Sequence, residues 1–535
     1  MSNGNQRFDW LSEYLARLHD QHVLVRRGSA TALAPAHLIE IDLEDWGKAA
    51  AEAAGFDCRW AALWGDHQEA DGEQLIVLHM LLERAGDYVA VRTEVPVDKP
   101  VLPSQAPFFP AAERPERHLH DLLGVVFQGP AVARRWTRHQ AWSESEYPLR
   151  RDFPVAGNRP APTPPDNGYP FERIQGSGVY EIPVGPVHAG IIEPGHFRFQ
   201  AMGEEVLQLE ERLGYVHKGI EKIAVGRDPE ALVRLAGRVS GDSTVAHAWA
   251  ASQGLERAAG CKVPPRALYL RALLCERERV ANHLGDIGAI CNDVGFAFAH
   301  YQFSRLRERW QRRNMELFGH RLLMDRIVPG GVATDIEPAQ IPPLLAEQLT
   351  LDTELEGLFD ILEDHPSLDD RLLTTGYLAP DTARRLGAVG YVGRASGQGF
   401  DLRRDNPYPP YDTLEVEVPL YSEGDVAARV RVRMEEIRIA LRLMEKLLQR
   451  LPEGGLRAEW PAPRAGEGLG AVEGWRGEVV CYVRLDEEGK VARYFPRDPS
   501  WLTWPTLEQL IAGNIVPDFP VCNKSVNGSY SGHDL

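Results

Sequence analysis

Residues 234–247, RLAGRVSGDSTVAH, gather the side chains best suited to chemistry: Arg238, Ser240, Asp242, Ser243 and His247 lie within ten positions. The polar insert Ser240-Gly241-Asp242-Ser243 stands just before a helix expected from Ser243 to Ala258, with Ser243 or Asp242 as its N-cap. Two hydroxyls three residues apart at a helix mouth, flanked by an arginine and a histidine, suit a small buried polar site. The same residues also read as a plain helix cap, with Arg238 paired to a carboxylate elsewhere.

The chain that must position them has 535 residues, too many for a single core, with 44% hydrophobic and 25% charged residues, ordinary values for globular domains. A formal net charge of -18 argues against nucleic-acid binding, which needs clustered lysine and arginine. The six cysteines, at 58, 261, 275, 291, 481 and 522, form no Cys-x-x-Cys pair and suggest neither zinc nor iron-sulfur ligation. A reducing cytosolic setting fits them. The first residues lack the basic start and apolar core of a signal peptide, and no apolar stretch of roughly 18 residues is free of charge, so no membrane span is expected. No Gly-x-Gly-x-x-Gly follows a strand, so any NAD belongs to another subunit.

The fold class expected is α+β. A small α/β domain over 1–157 combines a helix at 8–20 with strands HVLVRR, QLIVLHML and YVAVRTEV, a helix at 43–54, and a helix from Glu113 ending at Gly124. A proline-rich linker follows over 158–176, and a mainly helical domain with peripheral strands over 177–535. In that domain, strands around 179–212 meet at a Glu193-Pro194-Gly195 turn. Long amphipathic helices at 266–291, 302–324, 342–364 and 424–451 pack as a bundle, and strands in 478–495 lead to a helix near 505–512 and an irregular tail.

Ordered motifs over residues 80–535 carry a family resemblance. ERHLHDLLGVVFQG with YPLRRDFPVAG resembles the 30 kDa subunit of respiratory complex I. GPVHAG, EPGHFRF, GYVHKGIEK, ERERVANHLGDIGAICNDVG, RIVPGGV, GRASG with DLRR, GDVAARVRVRMEEIR and FPRDPSW resemble the complex I 49 kDa subunit and the large subunit of [NiFe] hydrogenases. The fusion of both modules with the EPxxFRF wording is most similar to large subunits of group 4 membrane-bound hydrogenases, of the hydrogenase-4 and formate hydrogenlyase type. Their first metal motif, R-[IV]-C-G-I-C-S-x-x-H, matches Arg238, Val239, Gly241 and His247, but Ser240 and Ser243 stand at the cysteine positions. The last motif, D-P-C-x-x-C, falls on Ser529 and Gly532. A serine hydroxyl is harder and far less acidic than a thiol of ordinary pKa about 8.5, and glycine offers no ligand, so the expectation is that nickel is absent. The ending His533-Asp534-Leu535, without a hydrogenase-type extension, agrees with that expectation.

In complex I the emptied metal pocket receives the quinone headgroup. By that resemblance His188 matches a headgroup histidine, Glu193 or His196 stands nearest the second, Gly241 replaces the tyrosine donor, and Asp293 matches a supporting aspartate. Arg394 in GRASG matches an arginine that overhangs the hydrogenase metal. The resemblance implies catalytic roles for His188, Glu193, His196, Asp293 and Arg394, and cofactor contacts from Arg238, Ser240, Gly241, Ser243, His247 and Ser529, with no metal ligand. It implies a small [4Fe-4S] partner subunit, integral antiporter-like membrane subunits, and a peripheral place on the cytoplasmic side of the cell membrane. Two uses of the pocket stay open: electron transfer to a quinone, or a non-catalytic scaffold coupling another redox or ion-transport module to the membrane.

Overall fold

The computed structural model describes residues 4–28, 33–70, 72–129, 134–139, 142–158, 168–188 and 192–535. Residues 159–167 of the expected linker lie outside the described residues. The architecture is mixed α and β, an α/β unit followed by a mainly helical region with peripheral strands.

In the first unit a five-stranded sheet runs in the order Arg26–Arg27, Ala36–Glu40, Asp87–Pro96, Glu73–Arg84, Arg59–Ala70. Ala36–Glu40 pairs parallel with Asp87–Pro96, and the other pairings are antiparallel. The run QLIVLHML is nearly all apolar because both faces of its strand are covered. Ile76, Leu78, Met80 and Leu82 face the helices Gly4–Asp20 and Trp46–Gly55, while Leu81 joins the larger core shared with the rest of the chain. On that second face Trp64 lies 5.5 Å from Phe495 and 5.3 Å from Tyr482, centroid to centroid. Polar contacts follow the same seam: Arg493 Nε donates to the Gly65 carbonyl at 2.8 Å, and Arg59 forks onto Glu478 at 3.1 and 2.9 Å. Tyr88 and Arg497 also reach the fully buried Glu478 carboxylate.

Four long helices form the second region, Pro265–Asp293, Ala297–Phe318, Ile341–Glu363 and Val426–Gln449, close to the expected bounds. A three-stranded sheet, Val179–Val184, His196–Met202 and Glu205–Arg212, precedes them. Another follows, Gly466–Gly474, Gly477–Leu485 and Val491–Arg497, all antiparallel. Its first strand is not expected from its glycine-rich wording, and the reason for that wording is steric. A β-carbon at Gly466, Gly468 or Gly470 would collide with the carbonyl oxygen of Ala258, Gly254 or Ala250 on the helix Thr244–Ala259. Two strand residues rise about 6.6 Å and four helical residues about 6 Å, so glycines at every second position match carbonyls at every fourth. The hairpin turns at Trp475-Arg476, with Gly477 at φ +127°.

Two departures concern the chain's end and start. The tail is helical, not irregular, forming Phe519–Val526 and Tyr530–Asp534, the second capped by Ser529. Segments of eight and five residues are too short to show periodicity. HVLVRR contributes only Arg26–Arg27 to the sheet.

Candidate functional site

The expected cap does not form. Ser240 is extended, Gly241–Ser243 make a 3-10 turn, and neither Asp242 nor Ser243 caps the helix Thr244–Ala259 with its side chain. Glu278, projecting from the helix Pro265–Asp293, accepts Val245 N–H at 2.7 Å and Ala246 N–H at 3.2 Å instead. Capping from a neighbouring helix leaves the polar side chains of the 240–243 turn free to face inward.

They meet the C-terminal helices. Ser240 Oγ donates to Asp242 Oδ1 at 2.8 Å and lies 2.8 Å from Ser529 Oγ. Ser529 Oγ also accepts Gly532 N–H at 2.9 Å, and the Ser529 N–H donates to Ser500 Oγ at 2.8 Å. Arg476 grips both oxygens of Asp242 at 2.6 and 2.7 Å, reaches Ser243 Oγ at 3.2 Å, and donates through Nε to the Asn527 carbonyl at 2.7 Å. Its guanidinium covers the Trp475 ring at 4.0 Å. Burial would raise the Asp242 carboxyl, but the Arg476 fork holds it below its ordinary value. The loop GYVHKG secures the tail: Gly214 and Val216 N–H groups bind the Asp534 carboxylate at 2.8 and 3.0 Å, and Lys218 Nζ donates to the Ser531 carbonyl at 3.0 Å.

The four positions aligned with metal-ligand cysteines thus converge. Ser240 and Ser529 touch, Ser243 shares Arg476 with Asp242, and Gly532 stands where a β-carbon would lie 2.6 Å from the Asp498 carboxyl group. Asp498 accepts from Ser500 N–H at 2.8 Å and pairs with His247 Nε2 at 2.7 Å, both side chains fully buried. Burial opposes ionisation of Asp498, yet His247 and Arg476 keep it well below the usual carboxylate range. This is a knot of hydroxyls and carboxylates bonded to one another, with no thiolate among the four positions. Among the described residues no group of three or more His, Cys, Asp or Glu converges as metal ligands would.

The remaining expected residues scatter. Arg238 turns outward to Asp325, its side chain 44% exposed, and is not part of the knot. Gly241 faces solvent, and a β-carbon there would meet Met324 Cε at 3.6 Å. His188 is half-buried against Phe197 at 5.6 Å, its pKa lowered by burial. His196 is buried beside Phe171, bonded through Nδ1 to the Gly185 carbonyl at 3.3 Å. Exposed Glu193 accepts Ser531 N–H at 3.0 Å and so touches the segment after Ser529. Asp293 ends its helix exposed, with Lys524 and His300 as the charges that bear on it; it does not orient a histidine of the knot. Arg394 is fully buried in ion pairs with Glu436 at 2.7 Å, Glu473 at 3.1 Å and Asp401 at 3.4 Å, and the guanidinium that reaches the 240–243 turn is that of Arg476. Arg476, Asp498 and Ser500 escaped the sequence reading, although the last two lie in the FPRDPSW motif.

Residues 39–159 match the family "Respiratory-chain NADH dehydrogenase, 30 Kd subunit", and 293–463 and 456–534 match "Respiratory-chain NADH dehydrogenase, 49 Kd subunit". Residues 218–285 match "Nickel-dependent hydrogenase". Formate hydrogenlyase subunit 5 of Escherichia coli (strain K12) is 34% identical over 478 residues, covering 88% of this chain and 83% of that protein. The fused C/D polypeptide of NADH-quinone oxidoreductase from Bacteroides fragilis is 30% identical over 454 residues, covering 81% and 85%. A chain from the structure of the membrane-bound sulfane sulfur reductase, an archaeal respiratory membrane complex, superposes with a TM-score of 0.63 at 28% identity, covering 67% of this chain and 99% of that one. The chain belongs to the family of complex I 30 kDa and 49 kDa subunits and hydrogenase large subunits, with the two modules fused in one polypeptide.

Proposed function

We propose that this chain is the large subunit of a membrane-associated energy-converting oxidoreductase complex, that it holds no [NiFe] centre, and that its former metal position serves as a polar relay coupling redox change to ion movement. The observation that carries this reading is the 2.8 Å contact between the Ser240 and Ser529 hydroxyls, with Asp498 in the space a side chain at 532 would need. With Asp242 ionised, Ser240 donates to it and accepts from Ser529, so the string runs in one direction and reverses only when a charge change nearby delivers a proton to Asp242. Arg476 fixes the ionised Asp242 at one end, and the His247–Asp498 pair stands beside the other. A small [4Fe-4S] subunit docked near residues 185–247 and the C-terminal helices would supply that change, and integral antiporter-like subunits would use it.

The chain would sit peripherally on the cytoplasmic face of the membrane. Among the described residues no helix is long and apolar enough to cross one, and a matched structure is a respiratory membrane complex. The two modules would meet at the 158–176 spacer. A second reading, electron transfer to a quinone, draws on His188, whose Nε2 is buried with no hydrogen-bond partner among the described residues.

The test is a count of nickel, iron and extracted quinone per chain in the intact complex purified in mild detergent. The relay reading expects no nickel, iron confined to the small subunit, and no quinone. Stoichiometric nickel lost on chelation overturns it, and quinone that disappears in His188→Ala establishes the second reading.

A further inference from the structure

Behind the serine knot lies a second, wholly buried constellation that the proposed relay does not use. Glu276, Arg279 and His283 come from the helix Pro265–Asp293, Arg394 from Gly390–Ala395, Asp401 and Arg403 from the turn after it, Glu436 from Val426–Gln449 and Glu473 from the strand Gly466–Gly474. None of these side chains is more than 1% exposed. The charges do not balance, since four carboxylates face three guanidiniums.

Nor is the shortage shared evenly. Glu276 takes a fork from Arg403 at 2.9 and 3.1 Å, Arg279 at 3.0 Å and the Tyr411 hydroxyl at 2.6 Å. Asp401 takes two bonds from Arg403 at 3.0 and 2.7 Å and faces Arg394 at 3.4 Å. Glu436 binds Arg394 at 2.8 and 2.7 Å, Arg279 at 3.4 Å and His283 Nε2 at 2.8 Å. Glu473 has one guanidinium contact, Arg394 Nη1 at 3.1 Å, and one backbone N–H, Leu402 at 3.1 Å. A surplus negative charge in a low-dielectric interior is costly, and it falls on the carboxylate with the fewest cations.

We propose that this cluster is a proton-binding site, and that Glu473 takes its one exchangeable proton. Directions across the cluster agree. Burial, then Asp401, push the Glu473 carboxyl up to about 7 against the pull of Arg394, Arg403 and Arg279. Burial acts on Glu436 too, but Arg394, His283 and Arg279 hold it well below its ordinary value. Glu276 and Asp401 are lowered by their arginines despite burial, and burial lowers His283, which leaves Glu473 as the group that titrates. The other ionisable neighbours facing it, Tyr408 and Cys275, are pushed far up by burial and stay protonated. This site goes beyond the relay reading and stands whether or not nickel or quinone is found.

The test is a pH-titrated infrared difference spectrum of the complete chain in its purified complex, from about pH 5 to about pH 9, with Glu473→Gln and Glu436→Gln beside the wild type. Bands from buried protonated carboxyl groups are expected to fade through neutral pH in the wild type, with Glu116 and Glu278, pushed up by burial to about 7 and about 8, contributing beside Glu473. The wild-type-minus-variant difference should hold one carboxyl's worth of that signal for both variants, since Glu473→Gln removes the acceptor and Glu436→Gln leaves three carboxylates against three guanidiniums. Melting curves give a second readout. A carboxyl raised in the fold stabilises most at acid pH and loses that contribution as pH rises from its unfolded value, about 4.3, through about 7. Wild type is therefore expected to lose stability relative to Glu473→Gln across that window. A neutral-pH band of undiminished intensity in Glu473→Gln, or the absence of any such band in wild type, overturns the proposal.

Discussion

A serine where the hydrogenase motif carries a cysteine sets what its neighbours must do. Ser240 and Ser529 satisfy each other, and the positive charge beside them is that of Arg476, held at 5% exposure by Asp242. The two ionised groups depend on each other unequally. Asp242 keeps 35% of its side chain exposed and can be rehydrated, whereas an unpaired Arg476 would remain buried. Asp242→Ala is therefore expected to cost about 3 kcal/mol in denaturant unfolding, the lower end of the range for a broken buried pair because of that partial exposure. Asp242→Asn should cost less, since it keeps an acceptor for Ser240 and Arg476. The serines could be read from the sequence because they sit inside an ordered motif. Arg476 could not, because an arginine between glycines at a hairpin turn carries no periodicity, and only folding brings it from strand to helix mouth.

At the scale of elements, the helix Thr244–Ala259 owes its position to two partners that its own sequence does not reveal. Glu278 caps it from the next helix, and the glycine face of Gly466–Gly474 lies directly on its backbone. Glu278→Ala strands two buried N–H groups and is expected to destabilise the chain by about 2–3 kcal/mol, while Glu278→Gln retains an acceptor and should cost roughly 1 kcal/mol, both measured by denaturant titration. The long helices were legible because each spans several turns of apolar periodicity. The strand Gly466–Gly474 and the last two helices were not: one has almost no side chains to alternate, and the others are a turn or two long. Ser243 and Asp242 read as caps for a sound local reason, since those residue types favour helix starts, and a distant glutamate prevailed over that preference.

The whole molecule depends on Glu478, the buried carboxylate shared by Arg59 and Tyr88 of the first unit and Arg497 of the second. Burial opposes its charge, but Arg59 and Arg497 bring its carboxyl down to about 2. A group depressed in this way stabilises fully above its unfolded value, about 4.3, and that contribution fades as pH falls from there toward 2. Glu478→Gln is expected to cost about 3–5 kcal/mol at neutral pH by leaving two guanidiniums poorly paired, and to flatten the acid limb of the stability curve. Trp64, in the seam between the units, provides a fluorescence signal for both effects. Glu473, Arg476 and Glu478 belong to one hairpin end, six residues long, and each is anchored in a different neighbourhood: the proton cluster, the serine knot and the first unit. Such a joint obeys reciprocity: whatever free energy one arm transmits to another, the second returns in equal measure. If the first unit docks more tightly when the knot is charged, then undocking it must shift the knot's proton affinity by the same factor.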